Sequence, residues 1–250
     1  MWVLVPKNEA AASIRVSESV GGAWMVRSRS LTVDAIVFGY QHEQLFVALV
    51  KRKYEPYVGH WALPGGFVLD EEDLETAVKR ELLEETGIRI NYLEQLYTFG
   101  EVKRDPRRRI VSVAYFGLIR PKDFIIKANT DAAEVAWFNV KQLPKLAFDH
   151  NKILQIALER LRAKLTYQPI GLNLLDKKFP FGDLERLYTT ILDKEIDRRN
   201  FRKKFLKFGI LNELEEYAPS IDKGRPGKLF SFDERKYNAL LKKGILFEIS

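Results

Sequence analysis

The sequence predicts an α+β protein built in two parts: a mixed sheet with helices first, then a helix, a turn, a basic helix and a hairpin. Three observations carry this. Apolar, β-branched runs of strand length recur between short polar turns through the first half of the chain. One acidic segment interrupts them with helical apolar spacing. The charge is also divided: residues 1–150 hold 20 Lys and Arg against 20 Asp and Glu, residues 151–250 hold 21 against 14, and the whole excess of +7 lies in the last hundred residues. A neutral half joined to a basic half points to two domains, the second of which meets a polyanion.

The elements follow in order. The start, "MWVLVPKNEAAASIRVSESVGGAW", has a short apolar patch with no basic leader before it, a poor secretory signal. Residues 1–30 read as an N-terminal extension, disordered or the product of an early start with Met25 as the alternative. "LTVDAIVFGY" and "LFVALVKR" are paired strands across a turn at "QHE", and "WALPGGFV" is a loop and short strand with glycines where backbone passes close to something. From Glu71 to Thr86, apolar Leu74, Ala77, Val78 and Leu82 recur at helical spacing until Gly87 stops the pattern. Strands follow at "EQLYTFG", "RRIVSVAYFGLI" and "VAWFNV". "QLPKLAFDHNKILQIALERLRAKL" reads as a helical segment joining the halves. "FGDLERLYTTIL" and "DRRNFRKKFLKFGIL" are two short helices, and "NELEEYAPSIDKGRPGKLFSFD" is a loop ending in an aromatic strand. That order is the order of a winged helix-turn-helix. The domains are therefore expected at 31–149 and 169–250, with a linker helix over 150–168.

Composition excludes several chemistries. There is no cysteine among the 250 residues, so disulfides, thiolate metal sites and cysteine nucleophiles are ruled out, and a reducing cytoplasm fits. No apolar run approaches the roughly 18 residues of a membrane span, so no membrane partner is expected.

The segment "GGFVLDEEDLETAVKRELLEETGI" carries the chemistry. Residues three and four apart share a helix face, so Glu81, Glu84 and Glu85 project one carboxylate cluster. Such a cluster reads in two ways: a solvated face supported by Lys79 and Arg80, or oxygen donors for a hard divalent cation that also binds ligand phosphates. The surrounding residues favour the second. Five residues separate Gly66 from Glu72 and seven more lead to Arg80-Glu81; Leu82, Glu84-Glu85, Gly87 and Ile88 complete the series. Seven fixed identities at fixed spacing arise by chance at a given start with a probability on the order of 10⁻⁹.

This series resembles the Nudix box of the Nudix hydrolases without a mismatch. The resemblance implies a Nudix fold, a mixed sheet between helices with the box as a loop-helix-loop. It also implies hydrolysis of nucleoside diphosphates linked to another group with Mg²⁺ or Mn²⁺. On it, Glu81, Glu84 and Glu85 ligate metal with the carbonyl of Gly66, and Arg80 pairs with Glu72 or its neighbours and orients the carboxylates. Metal neutralises the diphosphate and activates water; Glu84 or Glu85 is the base, or Glu134, which otherwise is an ordinary loop glutamate. The stretch "QLYTFGEVKRDPRRRIVSVAYF" resembles ADP-ribose pyrophosphatase-like members. There Lys103, Arg104, and Arg107 to Arg109 contact phosphate and Phe99 or Tyr97 stacks on a base or ribose; the alternative is a basic hairpin turn with aromatic core positions. Arg52, following a strand, is a further ligand-binding candidate.

In the basic half, Ile196, Phe201, Phe205 and Phe208 fall near one stripe, with Arg198, Arg199, Asn200, Arg202, Lys203 and Lys204 around it. Such a helix buries its aromatics and points cations and an amide into a major groove, or is simply a basic surface helix. Lys223, Arg225 and Lys228 lie on a Gly/Pro-shaped loop before an alternating strand, as a wing touching phosphates requires. "RRNFRKKFLKFGIL" and "GRPGKLFSF" together resemble the winged helix of the Nudix-related transcriptional regulators. Members of that family act as homodimers on palindromic operator DNA and sense ADP-ribose, a related nucleotide sugar, or a pentose. Many have a decayed box and no hydrolase activity; this box is intact. Two functions therefore stand together, a ligand-sensing regulator and a Mg²⁺-dependent nucleotide hydrolase, with a basic RNA-binding or protein-docking module as a third.

Overall fold

The structure is a computed structural model that describes residues 30–90, 93–121, 132–219, 227–244 and 248. The N-terminal extension expected over residues 1–30 lies outside them up to residue 29. The first seven strands form one mixed sheet. β1 (Ser30–Gln41) turns at His42 and Glu43, which both hold positive φ (48° and 56°), into antiparallel β2 (Gln44–Arg52). Short strands β3 (Trp61–Ala62) and β4 (Gly65–Phe67) return along β2 and β1 respectively. β5 (Glu94–Phe99) pairs with β6 (Ile110–Ile119), β6 runs parallel to β1, and β7 (Ala132–Asn139) covers the other side of β2.

The period of two along β1 divides the core. Val33, Ala35 and Val37 face α1 (Leu74–Thr86), packing with its Ala77, Val78 and Leu82. Ile36 and Phe38 face α2 (His150–Tyr167), packing with Ile153, Leu154, Ala157 and Leu161. The sheet is thus sandwiched between two helices, each burying one apolar stripe.

The helix expected from Glu71 starts at Leu74, because Asp73 caps it: its carboxylate accepts the Thr76 N–H at 2.7 Å. Gly87 ends it in the left-handed region (φ 75°). The helix expected from Gln142 begins only at His150. Pro144 denies a helical amide, and Phe148 adopts φ 52°, so the first eight residues of that segment run as loop.

The second half opens with a 3-10 turn, Ile170–Leu174, and short β8 (Phe179–Pro180). α3 (Phe181–Leu192) and α4 (Arg198–Lys207) follow, then β9 (Leu211–Tyr217) and β10 (Lys228–Phe232) as an antiparallel pair, and α5 (Glu234–Lys242). Residues 212–217, expected as loop, and Leu211, expected at the end of the second short helix, are the strand β9. Leu172, Leu184, Leu187, Tyr188, Ile191, Phe201, Phe205 and Phe230 bury in the same apolar cluster as α2, so α2 packs on the sheet and on the second half alike. Among the described residues no helix is long and apolar enough to cross a membrane.

Candidate functional site

A cavity of about 150 Å³ opens where β1, the β3–β4 loop, the β5–β6 loop and the head of α2 meet. Two glycines make room for it. A Cβ on Gly65 would sit 2.2 Å from the Val33 backbone carbonyl, which excludes a side chain there, and one on Gly66 would sit 2.4 Å from Glu81 Oε1 and force that carboxylate to move. Glu85 lines the cavity and accepts the Gly65 N–H at 2.9 Å.

The other box carboxylates surround a guanidinium. Arg80 donates to Glu72 through Nε (2.9 Å) and Nη2 (2.6 Å), to Glu81 (2.8 Å) and Glu84 (3.4 Å) through Nη1, and to the Phe67 carbonyl (3.1 Å). These bonds hold the Glu72 carboxyl below its usual range. Burial nevertheless pushes Glu81 up, outweighing its bond to Arg80. Oxygen donors at this spacing suit a hard divalent cation, which the Nudix hydrolases as a family use. As arranged, Glu81 and Glu84 turn to Arg80 and Glu85 to the Gly65 amide, and among the described residues no three His, Asp or Glu side chains converge to hold a metal. Glu134 lies within β7, not in a loop before it; it pairs with Lys51 at 3.3 Å and does not line the cavity.

The cationic wall divides by role. Arg104 is buried and donates bidentately to Asp149 (2.9 and 2.8 Å) while reaching Asp34 (3.4 Å), so its charge is neutralised in place. Arg107 is clamped on Asp105 (3.0 and 2.8 Å), and its guanidinium lies 5.6 Å from the Phe148 ring centre. Arg52 sits 4.7 Å from the same ring and donates to the carbonyls of Pro56 and Tyr54. Burial, and then the nearby Arg107 charge, push the Arg52 pKa down. Two guanidinium groups thus flank one aromatic ring inside a cavity. Phe99 does not join them: it is 5 % exposed, packed in the core. Tyr97 beside it is exposed.

Several wall residues carry no sequence signal. Asp34 accepts from the Ser112 hydroxyl and faces His150 Nε2 at 3.6 Å. His150 Nδ1 accepts the Leu63 N–H at 2.9 Å, which places the proton of a neutral ring on Nε2 toward Asp34, and burial pushes its pKa down. Phe148, the ring in contact with Arg52 and Arg107, holds a backbone conformation that side-chain-bearing residues rarely adopt. Distance in sequence hides all three, because parallel pairing of β1 with β6 and the start of α2 bring them together.

The second charged surface is α4. Asp197 caps it by accepting from Arg199 N and Asn200 N, and also takes the Asn200 side-chain amide at 2.7 Å. Phe201 and Phe205 are buried, while Arg198, Arg199 and Lys203 are exposed and Lys204 is half-buried. Arg202 stacks over Phe181 (4.5 Å) and Phe230 (5.4 Å). Of the expected wing cations, Lys223 and Arg225 lie outside the described residues, and Lys228 pairs with Glu213 (2.8 Å) and Glu215 (3.6 Å).

Residues 28–156 match the NUDIX domain and residues 171–232 the NrtR DNA-binding winged helix domain. The chain is 34 % identical over 237 residues to the "ADPR responsive transcriptional repressor NtrR" of Acinetobacter baylyi, covering 90 % of this chain and 94 % of that one. Among solved structures it is similar to Shewanella oneidensis NrtR complexed with a 27mer DNA, at 32 % identity and a TM-score of 0.69, covering 83 % of this chain and 95 % of that one. The NUDIX domain of the same NrtR, complexed with ADP ribose, matches at 40 % identity and a TM-score of 0.51 over 54 % of this chain and 90 % of that one. With an intact Nudix box at its cleft and a winged helix behind it, this chain belongs to the NrtR family of Nudix-related regulators.

Proposed function

We propose that the protein is a cytoplasmic, homodimeric transcription regulator whose cleft binds ADP-ribose, or a related nucleotide sugar or pentose, and whose winged helix binds operator DNA. The observation that carries this reading is that one chain holds two unlike cationic surfaces. In the cleft, Arg52 and Arg107 both lie over the Phe148 ring, 4.7 and 5.6 Å from its centre; on α4, Arg198, Arg199 and Lys203 project outward. A diphosphate beside Arg52 and Arg107 relieves their repulsion and accepts from the guanidinium N–H groups that Asp105 and the Pro56 and Tyr54 carbonyls leave over, and Phe148 offers an aromatic face to a base or ribose. Arg104, already neutralised, holds the cavity wall. On the DNA side the exposed α4 cations meet phosphates and base edges, with Asn200, Arg202 and Lys204 beside them; the DNA contacts expected of Lys223 and Arg225 belong to the same reading, while Lys228 supports the β9–β10 hairpin through Glu213 and Glu215. Two copies related by a two-fold axis set two α4 helices about 34 Å apart, one helical turn of DNA. The domain division at 31–149, 150–168 and 169–250 belongs to the same reading. The names of the Acinetobacter and Shewanella relatives support it. Gel shifts on promoter fragments beside the gene, with and without ADP-ribose or pentoses, test it. A specific complex whose strength changes with one ligand is expected, and no specific complex under any condition overturns it.

A second reading rests on the complete box: the cleft also hydrolyses its ligand. Glu81, Glu84, Glu85 and the Gly66 carbonyl are the oxygens that would hold Mg²⁺ or Mn²⁺, a cation that when bound neutralises the diphosphate and acidifies water. Arg80 orients these carboxylates from behind, and Glu85, the one that lines the cleft, is placed to take a proton. Metal-dependent release of AMP from ADP-ribose, lost in Glu85→Gln, is the expected result; no metal-dependent turnover of any nucleoside diphosphate sugar removes this reading and leaves the first intact.

A further inference from the structure

Asp193 is an unfavourable residue where it stands. It ends α3 in the left-handed region (φ 54°, ψ 39°), where glycine or asparagine is usual, and it sets a carboxylate at the negative end of the helix dipole. Its partners, both outside the second half, offset these local penalties. Lys141, just after β7, donates to one carboxylate oxygen, and Arg162 Nη2 on α2 lies 3.5 Å from the other. Arg162 also donates through Nε to the Ile191 carbonyl at 2.9 Å, so it caps the end of α3 as well. Only four residues, 194–197, separate Asp193 from Arg198, where α4 begins.

The body of α3 is held differently, at Arg186 in its middle and at Thr190 in its last turn. Arg186 pairs with Glu43 at 2.8 Å, and the Thr190 hydroxyl donates to the Glu43 carbonyl at 3.3 Å. Glu43 sits in the β1–β2 turn, nine residues along from the cavity residue Asp34, and takes no part in the cleft. α2 does take part. Its head is built from Phe148, under the Arg52 and Arg107 guanidinium groups, and from His150 on the Asp34 carboxylate. Twelve residues, or about 18 Å of helix, lead from His150 to Arg162. The buried stripe Ile153, Leu154, Ala157, Leu161 and Leu165 packs this length continuously against both halves, so a shift at the head reaches the far end. α3 therefore has one attachment remote from the cleft and one carried by an element that forms the cleft wall.

We propose that α2 couples the cleft to the helix-turn-helix and that Asp193 is the coupling residue, through which Arg162 and Lys141 set the α3–α4 turn and hence the aim of α4. This rests on the sensor reading above and names how that sensor acts. Ligand drawn to Arg52 and Arg107 moves the Phe148 ring that stacks on it, the head of α2 follows, and the α3–α4 turn is re-aimed beyond the points held by Arg186 and Thr190.

Asp193→Asn and Asp193→Gly test it cleanly, because both accept the left-handed backbone while deleting the charge. The full chain is titrated with a fluorescent promoter fragment from its own gene, with and without ADP-ribose, alongside ADP-ribose binding without DNA and thermal melting. In the wild type ADP-ribose is expected to change DNA affinity by roughly 5- to 150-fold, the usual range for allosteric coupling. Both variants are expected to melt no lower than wild type and to keep ADP-ribose affinity within about twofold, while the coupling factor falls below about twofold. Variants that keep the wild-type factor overturn the proposal, as does a factor lost together with a lowered melting temperature, which marks a purely structural role. A wild type with no factor overturns the sensor reading itself.

Discussion

The acidic helix α1 and the basic helix α4 are built on one plan and put to opposite uses. Each buries an apolar stripe and gathers like charges on the remaining face. On α1 the repulsion is resolved inside the fold: Arg80 joins Glu72, Glu81 and Glu84, and the Gly65 amide takes Glu85. On α4 the carboxylate that bonds the first turn, among the described residues, is the capping Asp197, and Arg198, Arg199 and Lys203 are exposed. The difference teaches how to read a charge cluster. One that carries its own counter-ion is a preorganised site for a small ligand, whereas one left to solvent awaits a polyanion large enough to neutralise several charges at once.

The largest effect is expected where this contrast is broken on α4. Replacing Arg198, Arg199 and Lys203 together by alanine should weaken promoter binding roughly 100-fold and lower the salt slope by about 2.7, at about 0.9 per phosphate contact. The melting temperature should stay unchanged. Salt-dependent anisotropy and a melting curve check both parts.

On α1 the same operation should unfold rather than unbind. Arg80→Ala leaves Glu72 and Glu81 largely buried without their cation, and should cost about 2–3 kcal/mol in denaturant unfolding. Added Mg²⁺ should recover part of the loss, because a divalent cation can stand where the guanidinium stood. A loss that Mg²⁺ leaves untouched would separate the structural role of Arg80 from any metal site.

His150 sharpens the contrast by pH. Its folded pKa is depressed by burial, so between that value and the unfolded 6.5 the unfolded chain binds the extra proton and stability falls as pH falls. The slope should approach about 1.4 kcal/mol per pH unit below pH 6.5, and His150→Gln should flatten it. Urea melts across pH 5 to 7.5 measure it.

The smallest effect belongs to Lys228. Its ion pairs with Glu213 and Glu215 already use its charge, so Lys228→Met should change promoter affinity by less than about twofold. A tenfold loss would move it from hairpin support to phosphate contact.

Much of this was readable from the chain alone. The β1–β2 pair, the separate strands β5, β6 and β7, the helix ending at Gly87 and the box with its guanidinium follow from periodicity and spacing that local physics enforces. The misplaced boundaries have local causes as well. Asp73 caps α1 late, and Pro144 with Phe148 delays α2. β9 escaped notice because it is half acid: Asn-Glu-Leu-Glu-Glu-Tyr lacks the β-branched signature and is strand only by pairing with β10. Phe99 was misassigned for a subtler reason. A register shift between Gln95 and Tyr97 breaks the alternation of β5, so that Leu96 and Phe99 both turn inward while Tyr97 turns out. Asp34, Phe148 and His150 could not be found at all, since nothing in a single sequence says which distant residues a parallel strand pair and a helix head will bring to one cavity.

The central claim is that one chain reads a small ligand and reports it to DNA. Linkage tests it most directly: ADP-ribose is titrated into the full chain alone and into the chain saturated with its own promoter fragment, at one salt concentration. The two affinities should differ by the same factor by which ADP-ribose changes DNA affinity, at least about fivefold. Equal affinities with specific DNA bound would contradict the account.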